Sequence, residues 1–455
     1  MILRSILLAA ALAAPAAAQT DARHQAERAL FEKVVEIPTV EGRGQMPKLT
    51  ALLTSEFRKA GITDVVVKDH DRTQTLIARW PAARPSGKKP ILLMAHMDVV
   101  DAKPSDWKND PFTFREEGGY YLGRGAADNK AALTGIVLAL QNLKQAGFQP
   151  TRDIVVLFTG DEETAANGAR KAATEWRSLI DAEYALNGDA GGGALFEDGR
   201  VDSWVLQLAE KTYADYKLTA TNRGGHSSQP RPDNAIYQLA GALKALEEHR
   251  FKPMLNDASR GLFEHIAKTD KGMYGEVVRT WLKDPNDRTA GDVLEVMEPG
   301  YTRTRCVATQ LSGGHAPNAL PQKAEANVNC RIFPGVTPAE VLAELQAIAG
   351  QDVKVELVGA PTASAPTPLR QDIVDAYRAA VGVRFKDATI LPWMSAGATD
   401  GNYLRAAGIP VYGVGGIWGY LNQPSGAHGL DERILVEAFH GQIPIWEDLL
   451  RRLAG

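Results

Sequence analysis

Unbroken apolar stretches alternate with periodic ones between residues 90 and 190. "PILLMAH" is a continuous apolar run ending at His96, the pattern of a strand buried on both faces. "NKAALTGIVLALQNLKQAG" then places Leu133, Ile136, Val137, Leu140 and Leu143 at helical spacing and stops at Gly147. "DIVVLFTG" reads as a second buried strand ending at Gly160, "AEYALNGD" as a weaker one ending near Asp189, and "IPVYGVGG" as one more near the C-terminus. Strands of this kind, separated by helices, predict an α/β domain with a mainly parallel sheet flanked by helices.

The segment 212–358 has another rhythm. "YADYKLTAT" alternates as a half-buried strand, and a helix follows over about 234–248. "RCVATQLSG" and "KAEANVNCRIF" are two further strands. Thr337, Pro338 and Glu340 form a capping box that opens a helix, and "VKVELVG" closes the set. This β-α-β-β-α-β order predicts a ferredoxin-like α+β domain inserted into the larger one. The larger domain then comprises 19–211 and 359–455, with "APTASAPTP" as the return linker. Residues 250–302 add a mostly helical insertion whose role the pattern does not disclose. Cys306 and Cys330 fall opposite each other if their strands pair as a hairpin centred near Asn318. A disulfide and two buried thiols both remain open on this reading.

A chain of 455 residues exceeds one ordinary core, in keeping with two domains. A formal net charge of -4 offers no basic field to nucleic acid. The N-terminus, "MILRSILLAAALAAPAAAQ", has Arg4, a short apolar run and a small-residue cleavage site near Ala18, so residues 1–18 read as an export signal. The run is too short to span a bilayer, and no other long apolar run follows. A periplasmic or secreted protein without a membrane span is the expectation.

"FTGDEET", residues 158–164, sets Asp161, Glu162 and Glu163 side by side just past a buried strand, where they repel one another. In open α/β sheets ligands gather at the carboxyl ends of the strands. His96 and Asp98, Asp128, Glu162 and Glu163, Asp189 and His428 all follow strands or precede a helix at that edge. Each alone has an ordinary reading, as an N-cap, a turn acid or a loop histidine. Together they form a histidine-carboxylate set suited to Zn2+ or another first-row divalent ion, and cations make dense carboxylates favourable.

With these residues in view, the sequence resembles the M20 family of metallopeptidases, which includes glutamate carboxypeptidase, carboxypeptidase S, aminoacylase and the desuccinylases. The matching stretches are "HMDVV", "DWKNDPF", "GRGAADNKAAL", "TGDEETAANGA", "NGD", "GGHSSQP", "NALPQKAEANVNCRIFPG", "GATDGNYL" and "HGLDE". The resemblance implies two zinc ions, with Co2+ or Mn2+ as other divalent candidates. His96 and Asp189 would hold one, Glu163 and His428 the other, and Asp128 would bridge them, followed by a cis peptide bond. Asp98 would orient His96, and Glu162 would act as general base. It further implies that the inserted domain is a lid and dimerisation domain, making a homodimer through it an expectation. His226 would stabilise the oxyanion, and Arg331 would grip a substrate carboxylate, with Asn318 and Thr399 as further substrate contacts. The implied substrate is a peptide or an N-acyl amino acid with a free carboxylate.

Overall fold

The computed structural model describes residues 7–455, with side chains from residue 21 onward. The expected export signal therefore lies partly outside the described residues, and none of its side chains is described. Among the described residues no helix is long and apolar enough to cross a membrane. The chain divides into two compact units. One comprises residues 1–206, 370–390 and 411–455, and the other residues 207–369 and 391–410. Beyond 212–358, the second unit thus takes in both flanks of that segment and a strand-helix piece that carries Thr399.

The first unit is built on a mixed sheet. Its strand order is Asp64–His70, Thr73–Trp80, Ile154–Thr159, Ile91–His96, Tyr184–Asn187, Val411–Gly413, Val201–Glu210, Gly192–Leu195, Trp418–Tyr420. The centre is parallel: Ile91–His96 pairs in parallel with Ile154–Thr159 and with Tyr184–Asn187, which pairs in parallel with Val411–Gly413. Ile91–His96 and Ile154–Thr159 are buried at every position, as strands covered on both faces require. Helix Lys130–Gln145 is buried from Lys130 to Leu140, which accounts for apolar residues all round it rather than on one stripe.

The second unit holds a four-stranded antiparallel sheet, in the order Arg305–Gly313, Lys323–Ile332, Thr212–Thr221, Val353–Val358. In chain order that is 2-3-1-4, with helices Ala235–Glu248 and Pro338–Ala349 as the crossovers, the topology of a ferredoxin-like split unit. Asn234 caps the first helix through the N–H groups of Ile236 and Tyr237, and Thr337 with Glu340 closes the capping box of the second. Cys306 stands opposite Cys330 in this register and is joined to it by a disulfide. The insertion forms three helices, Asp257–Thr269, Met273–Lys283 and Arg288–Met297, around a small core of Phe263, Val278, Trp281 and Leu294.

Candidate metal centre

Parallel register brings the ligand candidates to one edge. His96 ends its strand opposite Thr159, and Met94 stands opposite Asn187, so the residues that follow all three strands emerge together. The turn after Thr159 runs against the neighbouring strand. A Cβ on Gly160 would lie 2.3 Å from the Gln74 carbonyl oxygen, so only glycine lets the chain turn there.

The imidazole of His96 is buried and held at both nitrogens. Nδ1 lies 3.0 Å from the main-chain oxygen of Asp98 and 3.5 Å from its carboxylate. The Asp98 main-chain oxygen can only accept, so Nδ1 carries a proton, and Nε2 is the nitrogen turned toward the centre. Nε2 is 3.0 Å from Asp128 Oδ1 and 3.5 Å from Asp189 Oδ1. Asp98 has a second task that its spacing did not reveal. Its two carboxylate oxygens accept the N–H groups of Glu162 (3.1 Å) and Glu163 (2.9 Å), fixing the loop that carries both glutamates.

Of the three adjacent acids in "FTGDEET", Asp161 turns away. It accepts the N–H groups of Asn167 (2.7 Å) and Gly168 (3.0 Å), the first two residues of helix Asn167–Ala173. Glu163 turns inward, with His428 Nε2 at 3.1 Å from Oε1 and 3.0 Å from Oε2. Glu162 has a carboxylate oxygen within 4.8 Å of ligand atoms on His96 and Glu163. His428 Nε2 is also 3.2 Å from Asp128 Oδ2. His428 itself adopts φ 60, a left-handed conformation uncommon outside glycine.

The result is two trios with one shared member: His96, Asp128, Asp189, and Asp128, Glu163, His428. Within each, the donor atoms lie within 4.8 Å of one another. Asp128 turns Oδ1 to one trio and Oδ2 to the other. Each trio supplies one imidazole and two carboxylates, a donor set that fits a pair of borderline-hard divalent cations bridged by Asp128. Electrostatics agree. Hydrogen bonds to Asp128 and Glu163 push His428 up to about 10. Burial pushes the Asp189 carboxyl up to about 6. Burial works against a charged His96, yet the Asp189, Asp128 and Asp98 carboxylates hold it well above the ordinary histidine range. All three shifts favour protonation, the response of a site dense in carboxylates, and a bound cation would relieve the same negative charge.

Glu432, the last residue of "HGLDE", is not among the residues that spacing or resemblance singles out. Its fully buried carboxylate accepts the N–H groups of Gly125, Ala127 and Asp128, each at 2.9 Å, and pairs with the buried Arg124 guanidinium at 2.7 Å. It therefore shapes the loop that presents Asp128. The Asp128–Asn129 peptide bond is cis. The one signal available earlier was an acid four residues past a candidate ligand, too common a spacing to single out.

The remaining candidates lie in the second unit, which is described here by itself. His226 and Asn318 come together on a short antiparallel pairing, with Ser227 N–H donating to the Asn318 carbonyl at 3.0 Å. His226 is exposed, and its Nδ1 accepts the Ser228 N–H at 3.2 Å, so the neutral ring presents Nε2–H as a donor. Arg331 lies over the Tyr213 ring, 4.8 Å from its centroid. Thr399 accepts the Gly401 N–H at 3.1 Å and donates to Glu210 at 2.8 Å.

A sheet with a parallel centre, carrying a histidine-carboxylate cluster at its carboxyl edge, defines a metallohydrolase class of α/β protein. The comparisons make this specific. The chain belongs to Peptidase family M20/M25/M40, whose description matches residues 92–452. Over 449 residues it is 27% identical to the N-fatty-acyl-amino acid synthase/hydrolase of Danio rerio, covering 92% of this chain and 84% of that protein. Its fold is similar to that of an M20 family metallo-carboxypeptidase from Sulfolobus solfataricus, with a TM-score of 0.69 and 20% identity, covering 93% and 98% of the two chains. It is similar, too, to a dinuclear metal-binding M20 peptidase from Bacillus subtilis, with a TM-score of 0.61 and 15% identity over 95% and 99% of the chains. The protein is accordingly a hydrolase of amide bonds.

Proposed function

We propose that this protein is an exported di-zinc amidohydrolase whose main substrates are short peptides or peptides with a free C-terminus. The observation that carries the reading is the position of Asp128, with one carboxylate oxygen in each of two histidine-carboxylate trios. His96, Asp128 and Asp189 would hold one ion, and Asp128, Glu163 and His428 the other. Such a pair of ions, when bound, would supply Lewis-acid activation of a water and of the scissile carbonyl.

The chain's own residues supply the rest. Asp98 locks the ring of His96 and the main chain of Glu162 and Glu163 at once, so ligand and base keep a fixed separation. Glu163 is engaged with His428, whereas Glu162 belongs to neither of the trios that contain Asp128. That difference supports Glu162 as the general base, which takes a proton from the attacking water and passes it to the leaving amine. On the family resemblance alone, His226 is the residue that would steady the developing oxyanion. Arg331, Asn318 and Thr399 enter as substrate contacts on the family resemblance alone, as does a homodimer through the second unit. The Cys306–Cys330 disulfide supports an oxidising compartment and hence export.

A second reading has its own support. Likeness to the Danio rerio protein along 92% of the chain favours an N-acyl-amino-acid amidohydrolase. Assaying the zinc-loaded protein on a dipeptide panel and on N-acyl amino acids of graded chain length decides between the two. No zinc-dependent turnover on either series rejects both.

A further inference from the structure

Beside the metal centre, wholly within the first unit, lies a cavity of about 440 Å³. That size suits a small-molecule site. Asp128 and Asp189, one carboxylate shared by both trios and one from a single trio, line it. Aromatic walls come from Tyr120, Trp418 and Tyr420, and one cation, Arg433, faces in.

Arg433 is set up to receive an anion. Its main-chain N–H is tied to the Ser425 carbonyl at 2.7 Å, and its strand pairs with Tyr120–Leu122, so the backbone is fixed. Its guanidinium lies over the Tyr120 ring, 4.7 Å from the centroid, which orients the plane of the fork. Among the described residues it has no carboxylate partner within 4.0 Å, and the cavity's two acids belong to the metal centre. A half-buried, permanently charged group without a counter-ion is costly to maintain, and a bidentate carboxylate matches it.

We infer that Arg433 binds a carboxylate of the substrate and that this cavity seats the carboxylate-bearing half of the molecule next to the scissile amide. The inference rests on the hydrolase reading above and adds the anchor on the metal-bearing unit. It differs from the family resemblance, which offers Arg331.

The test compares zinc-loaded full-length wild type with Arg433→Ala, Arg433→Lys and Arg331→Ala. The substrates are N-acetyl-leucine and N-acetyl-leucinamide, which differ only in the carboxylate. Arg433→Ala should raise KM for N-acetyl-leucine roughly 10- to 100-fold, the worth of a charge-assisted pair, with kcat nearly unchanged. Its constants for the amide should not move, and Arg433→Lys should recover part of the loss. Calorimetric binding of leucine and leucinamide gives a readout free of turnover. Leucine should bind at least tenfold more weakly to Arg433→Ala, and leucinamide equally to both proteins. An equal KM rise on acid and amide, unchanged leucine affinity, or selectivity that collapses only in Arg331→Ala overturns the inference. If neither substrate turns over, the N-acyl-amino-acid reading is what fails while the dipeptide panel decides the peptidase reading, and leucine binding still decides Arg433: a drop in the variant supports it, and no drop, or no binding to wild type, rejects it.

Discussion

Glu432 accepts the main-chain N–H of Asp128 at 2.9 Å, across 304 residues of sequence. The bond makes a residue that touches no candidate ligand side chain into the support of the bridging one. Glu432→Ala leaves Arg124 charged and buried, which costs about 3–5 kcal/mol for a broken buried pair. The milder Glu432→Gln should keep the fold and weaken metal affinity about 10- to 100-fold, as loss of a ligand's supporting partner does. Thermal melts with metal titration would show this. A Glu432→Gln protein with wild-type metal affinity would contradict the supporting role.

Glu162→Gln should cut kcat by about 10²–10⁴, the usual contribution of a positioned general base, while both metals stay bound. Elemental analysis beside steady-state kinetics is the check. Loss of an ion along with activity would make Glu162 a ligand instead.

The shared carboxylate predicts unequal metal stoichiometry. His428→Ala should remove one ion and leave His96, Asp128 and Asp189 to hold the other, whereas Asp128→Ala should weaken both sites. Each ion at a hundredfold excess over its Kd stabilises the fold by about 2.7 kcal/mol, so chelation should lower Tm and zinc should restore it. Equal stoichiometry in the two variants would refute the bridge.

Lys211, fully buried, donates to the Arg303 carbonyl at 2.5 Å, and burial pulls its ammonium down to about 8. The folded pKa is below the unfolded value of 10.5, so the unfolded chain holds more protons between about pH 8 and 10.5. Below pH 8 the fold bears the full cost of the buried charge. Stability should therefore rise with pH across that window, by about 3 kcal/mol at most. Denaturant titrations at pH 7.5 and 10 would measure the slope, which Lys211→Met should flatten.

Local patterns carried much of the architecture. The run "PILLMAH", the spacing of Leu133 to Leu143, and the Thr337–Glu340 capping box each specify an element through neighbours a few residues away, and periodicity reads such terms directly. Parallel strands then force His96, Glu163 and Asp189 to one edge, so the sequence alone determined which segments could meet there. Residue chemistry alone does not choose among Asp161, Glu162 and Glu163, which are nearly alike; only the family resemblance told them apart. In the structure Asp161 is taken up by the nearby N–H groups of Asn167 and Gly168, and the carboxylate of Asp98, more than sixty residues away, accepts the main-chain N–H groups of the other two. The pairing of Cys306 with Cys330, the grip of Glu432 on the Asp128 loop and the stacking of Arg433 on Tyr120 with no carboxylate partner among the described residues were likewise settled only by the tertiary structure. Hydrogen bonds and ion pairs act over about 3 Å, so they belong to whichever distant groups the fold brings within reach, and spacing along the chain carries no record of them.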